Sequence, residues 1–110
     1  MKKEIFALTL SAVMAAGTCS IPVMAADDTY NVGICQLVQH EALDAATQGF
    51  KDALTEEFGD KVTFDEQNAQ GDSNTCSTII NNFVSNDVDL ILANATAALQ
   101  AAAAGTEDIP

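Results

Sequence analysis

Basic residues are nearly missing from this chain, which has no arginine and four lysines against sixteen carboxylates, for a formal net charge of −12. With Lys2, Lys3 and Glu4 set aside, the stretch from Asp27 onward keeps two lysines, Lys51 and Lys61, against fifteen acids. Phosphate backbones need a basic stripe, so nucleic acid is excluded as a partner, and an anionic membrane surface is disfavoured for the same reason. One histidine, His40, rules out a histidine-rich metal site and leaves a cysteine–histidine zinc cluster improbable. The nucleotide and nucleophile signatures are missing too: no Gly-x-x-x-x-Gly-Lys loop, no Gly-x-Gly-x-x-Gly after the first strand, no Gly-x-Ser-x-Gly elbow. No cofactor and no catalytic residue are expected. Asn94-Ala95-Thr96 matches a glycosylation sequon, but so short a match arises by chance.

What is present begins with an export signal. Lys2 and Lys3 precede an apolar stretch from Ile5 to Gly17, and Val23-Met24-Ala25 forms a small-residue cleavage pattern. This is the layout of a secretory signal peptide over residues 1–25, with an apolar core short for a membrane span. Cys19 raises the alternative of a lipid anchor, but Ala16-Gly17-Thr18 fits a lipoprotein signal less well than the downstream site fits cleavage. The expected location is therefore the periplasm or cell surface, with Cys19 discarded. About 85 residues remain, near the marginal size for one small core. Cys35 and Cys76 both lie in apolar stretches and read as buried free thiols, with a single bridge as the alternative that an oxidising compartment allows.

Three strand–helix units follow. Tyr30 to Val38 is short, apolar and rich in strand formers, as a buried strand should be. Leu43, Ala46, Phe50, Leu54 and Phe58 then recur at helical spacing, with Glu41 and Asp44 in the first turn and Gly59 as the stop. Val62 to Glu66 alternates like an edge strand, Asp72 reads as a helix cap, and Cys76, Ile79, Ile80, Phe83 and Val84 form a second stripe that Ser85-Asn86-Asp87 breaks. Val88 to Ala93 reads as a buried strand, Thr96 as a cap, Ala97 to Ala104 as a helix, and Gly105 as its end. Alternation of this kind implies parallel strands joined by right-handed crossovers, in a three-layer Rossmann-like α/β fold. A fourth strand is due where the sequence reaches Pro110, so residues 26–110 are read as part of a larger lobe.

In open parallel sheets, ligands settle beyond the carboxyl ends of the strands where the strand order reverses. With order 2-1-3, that crevice lies between the loops carrying Gln39 and His40 and those carrying Asn94, Ala95 and Thr96. Both loops precede helix starts, whose free N–H groups suit an anion. Short neutral polar residues suit binding better than acid–base chemistry. His40 and Thr96 also have a plain reading as caps, and Asp44 needs no ligand to explain a carboxylate in a first turn. Asn68, Gln70 and Asp72 sit beside the outer strand, further from the reversal.

Three segments carry a resemblance. Gln36-Leu37-Val38-Gln39-His40-Glu41-Ala42-Leu43-Asp44 resembles the Q-x-V-x-H-P-A-L-D segment of the ABC transporter substrate-binding family that includes tryptophan- and tyrosine-binding members. Asn68-Ala69-Gln70-Gly71-Asp72 is similar to that family's N-A-Q-G-D segment, and Asn94 to Ala101 to its A-T-P-A-A-Q-A stretch. The resemblance implies the N-terminal part of a type I periplasmic-binding-protein lobe, in a protein whose two lobes close on a ligand. It also implies an ABC permease as partner, a small solute such as an aromatic or apolar amino acid as ligand, and a monomer. The loops after the first and third strands would line the cleft, so the candidate ligand residues are Gln39, His40, Gln70, Asn94, Ala95 and Thr96. Two positions depart from the family: Glu41 and Ala97 stand where proline is usual, and Glu41 adds a negative charge that favours an amine or repels a carboxylate. The extracellular sensor domain of a signalling receptor is the alternative use of such a fold.

Overall fold

The computed structural model describes residues 28–110, so the expected signal peptide and Cys19 lie outside the described residues. Three strands and three helices alternate: β1 (Tyr30–Gln36), α1 (Glu41–Phe58), a 3-10 turn (Gly59–Lys61), β2 (Val62–Asn68), α2 (Ser73–Ser85), β3 (Leu90–Asn94) and α3 (Thr96–Gly105). The strands run parallel in the order β2-β1-β3, as the switch-point reading requires. β1 is central because it is the strand that can be buried on both faces; every residue from Val32 to Gln36 is buried.

Strand alternation sends successive β1 side chains to opposite layers. Val32 and Ile34 join Val62 beneath α1, with Phe50, Leu54, Phe64, Leu90 and Leu92 packed around them. Cys35 faces the other way, into a cluster with Cys76, Ile79, Ile80 and Phe83 of α2, Ala98 of α3, and Ala69 and Val88 from the connections. Gly33 lies on that second side, and its missing Cβ is what admits Phe83: a methyl group there would stand 2.6 Å from the ring. Phe83 is fully buried as a result.

Four sequence expectations are corrected. Ala46 is exposed, and the one buried residue of α1 is the polar Thr47, because the sheet-facing stripe also carries a hydrogen-bonding role. Val84 is 37% exposed and lies off the buried stripe of α2. β3 starts two residues late, at Leu90, and every residue in it is half-buried. It is an outer strand, paired with β1 on one side, while the Ile91 N–H on its other side donates to the Pro110 carbonyl at 2.9 Å. The cap of α3 is Ala95, with Thr96 the first helical residue, because β3 continues through Asn94 and compresses the turn to one residue. Gly105 is the last helical residue, and its use is close packing: a Cβ there would meet Ile80 Cγ2 at 2.7 Å. Gly59 does stop α1, at φ 57°, with its N–H donating to the Thr55 carbonyl.

Candidate functional site

Each strand ends in a carboxamide residue. In the sheet register Gln36 stands opposite Asn68 on one side and Asn94 on the other, so three amides form a row across the carboxyl edge. The inner two are consumed by the fold. Gln36 is 4% exposed. Its Nε2 donates to the Val38 carbonyl at 2.8 Å and to Asp44 Oδ1 at 2.7 Å, and its Oε1 accepts from Thr47 Oγ1 at 2.7 Å. Asn94 Nδ2 donates to the Leu43 carbonyl and to Thr47 Oγ1, both at 2.9 Å. Thr47 is thus the joint between the two amides. Among the described residues no buried side-chain polar atom lacks a partner, so the network is closed and holds the start of α1 rigidly over the sheet.

The rim loops are stitched together through the backbone. Leu37 N–H donates to the Asn94 carbonyl at 3.2 Å, Ala69 N–H to the Gln36 carbonyl at 2.9 Å, and Gly71 N–H to the Leu37 carbonyl at 2.7 Å. All three connections therefore meet at the end of β1. His40 caps α1: its Nδ1 accepts from the Ala42 N–H at 3.1 Å. With Nδ1 accepting, the proton of neutral His40 sits on Nε2, the nitrogen left to donate. Asp72 caps α2, accepting from Asn74 and Thr75 N–H at 2.7 and 3.4 Å. Asp44 is engaged by Gln36, in keeping with its plain reading. Ala95 adopts φ 98° and ψ 160°, a region open essentially to glycine alone, so the β3–α3 corner stores backbone strain.

Two adjoining hollows open on the rim. One, of about 410 Å³, is lined by Gln36, Gln39, Asp44, Thr47, Gln48, Glu66, Gln67 and Asn68. The other, of about 360 Å³, is lined by Val38, Gln39, Asn68 and Gln70. Gln39 and Gln70 are thereby brought together, with Asn68 between them. His40 stands at the start of α1, while Ala95 and Thr96 stand at the start of α3, on the β3 side of the same edge. Asn94 is turned beneath α1. No cation lines either hollow. Lys51 instead pairs with Glu66 at 2.7 Å, a partly exposed contact contributing at most about 1 kcal/mol.

Sequence reasoning missed Gln36 and Thr47 and left Asn68 outside the candidate set. The signal available for Gln36 and Asn68 was the shared ending of the strands, an amide at the last position of each. For Thr47 there was none, since a threonine at helical spacing reads as a gap in the apolar stripe. Among the described residues no group of three or more His, Cys, Asp or Glu could hold a metal ion, and no helix is long and apolar enough to cross a membrane.

Comparison with known proteins agrees with this architecture. The "Tyrosine-binding protein" of Clostridioides difficile (strain R20291) is 47% identical over 83 residues, which are 73% of this chain and 24% of that protein. The ligand-free, open structure of a substrate-binding protein with adhesive properties from Clostridium difficile superposes with a TM-score of 0.71 at 44% identity, covering 74% of this chain and 29% of that one. A Streptococcus pneumonia ABC domain in complex with L-Trp gives a TM-score of 0.71 at 35% identity, covering 76% and 29%. The chain thus spans about a quarter of the length of the curated relative it matches. The family described as ABC transporter substrate binding protein matches residues 31–110, and with the parallel sheet, its strand order and these relatives in agreement, the chain belongs to that family.

Proposed function

We propose that this chain forms part of the ligand cleft of an exported substrate-binding protein that delivers an amino acid, aromatic or apolar in its side chain, to an ABC permease. The observation that carries the reading is the carboxyl edge itself, where three βα connections meet at the end of β1 and leave Gln39 and Gln70 facing shared hollows. Relatives named for tyrosine and solved with L-Trp support the ligand class. Fixed amides and helix starts bind a zwitterion in a complementary way. Amide oxygens and nearby carboxylates receive its ammonium, and the free N–H groups of a helix N-terminus receive its carboxylate. The acidic rim, including Glu41, favours the ammonium half. Closure of a second lobe would complete the site, driven by ligand contacts to both lobes, and the solute is held without a chemical step. In this reading residues 1–25 are a signal peptide removed on export, Cys19 goes with them, and the mature protein acts as a monomer outside the cytoplasm.

Titration calorimetry on the full-length protein with a panel of amino acids tests this. Saturable binding of an aromatic or apolar member is expected, and Gln39→Ala or Gln70→Ala should each weaken it roughly 2- to 10-fold, the worth of one neutral hydrogen bond. No heat with any amino acid would sink the ligand class.

A further inference from the structure

Cys35 and Cys76 are both fully buried and free, and they belong to one core cluster although they come from different layers, the central strand β1 and the first turn of α2. Their thiols are in hydrogen-bonding contact. α2 is drawn close to β1 at this end by the Phe83 ring seated on Gly33, and the Ala69–Gln36 and Gly71–Leu37 backbone bonds fix the connection between them. A disulfide needs a close approach of two Cβ atoms and a sulfur separation of about 2 Å, and thiols already in contact on small side chains are near that geometry. From this arrangement we infer that Cys35 and Cys76 are a cross-linking pair, joined as a disulfide between β1 and α2 when the chain folds in the presence of a disulfide oxidant.

The chemistry balances with a small disulfide such as oxidised glutathione. The two thiols give up two protons and two electrons; the S–S bond of glutathione disulfide breaks, one S–S bond forms between Cys35 and Cys76, and two molecules of reduced glutathione leave. Once folded, the pair is sealed from solvent, and burial, then the neighbouring Cys76, pushes the Cys35 thiol up to about 12, so little thiolate exists near neutrality. The bond therefore forms during folding, before the cluster closes. It would tie the end of β1 to the start of α2, the two points that hold the β2–α2 rim loop.

The test is an equilibrium in glutathione redox buffers, using the full chain with Cys19→Ser so that two cysteines remain. The chain is equilibrated in native buffer and in high urea, quenched with N-ethylmaleimide under denaturing conditions, and weighed. In native buffer the expected product is two hydrogens lighter than the dithiol, carries no maleimide, and yields a linked peptide pair containing Cys35 and Cys76. Its ratio to the dithiol form should exceed the ratio in urea by roughly a hundredfold, the linkage expected when a native fold holds two cysteines in bonding geometry. A native ratio no higher than the ratio in urea, or a glutathione adduct on one cysteine as the main native product, overturns the proposal.

Discussion

Thr47→Val tests whether the amide network, rather than the apolar stripe, secures α1. Valine has nearly the shape of threonine, so packing is preserved and only the hydroxyl is lost. That hydroxyl donates to Gln36 Oε1 at 2.7 Å and accepts from Asn94 Nδ2 at 2.9 Å, at a residue 3% exposed. Asn94 keeps the Leu43 carbonyl as a partner, but Gln36 Oε1 is left buried without a donor. An orphaned buried acceptor costs about 1–3 kcal/mol, so the expected loss is about 2 kcal/mol. Urea unfolding monitored by circular dichroism should show a lower midpoint with an unchanged slope. Adding Gln36→Leu removes the orphan, and the double variant should recover much of the loss, because replacing both partners by apolar groups is close to neutral. The Asp44 carboxylate released by that change is exposed and can be satisfied by water. A Thr47→Val protein within about 0.5 kcal/mol of the parent, or a double variant showing no coupling, would refute the reasoning.

Gly33→Ala places a methyl group 2.6 Å from Phe83 Cδ2 and should destabilise by about 1–3 kcal/mol in thermal unfolding, with partial rescue by Phe83→Leu; an unchanged melting temperature would mean the ring has room to move. Ala95→Gly relieves the backbone at φ 98° and should raise stability by about 1 kcal/mol in the same assay, and a loss of stability would show that the corner is unstrained.

The fold was legible because each element advertises itself at its own period. The stripe Cys76, Ile79, Ile80, Phe83 maps onto the buried face of α2, and the alternation of Val62 and Phe64 marks the outer strand β2. Asp72 and His40 cap their helices as their types and positions suggest. What failed to show depends on tertiary geometry. Thr47 is buried because Gln36 and Asn94, from 11 residues before and 47 after it, converge on its hydroxyl. No local pattern encodes a meeting of that kind. Ala95 as a cap is likewise illegible, since alanine has no capping oxygen and the conformation is imposed by β3 running through Asn94. At the rim, the candidate residues were chosen by type, but type does not say which polar groups the fold has already used.

That division of labour among the amides bears directly on recognition. Gln36 and Asn94 have side chains engaged beneath α1, so a ligand reaching them would have to compete with bonds that hold the helix in place. Gln39 and Gln70, by contrast, are exposed, and neither side chain bonds to another described residue. The Gln70 backbone is held by the Asn68 side chain at 2.8 Å with φ 54°, which fixes where its side chain starts without occupying its amide. Unengaged amides on a fixed backbone lose little entropy on binding and break no internal bond. A solute taken up at this edge would therefore gain more from Gln39 and Gln70 than from the buried pair. Substituting Gln36 or Asn94 should lower stability before it alters affinity, whereas substituting Gln39 or Gln70 should do the reverse.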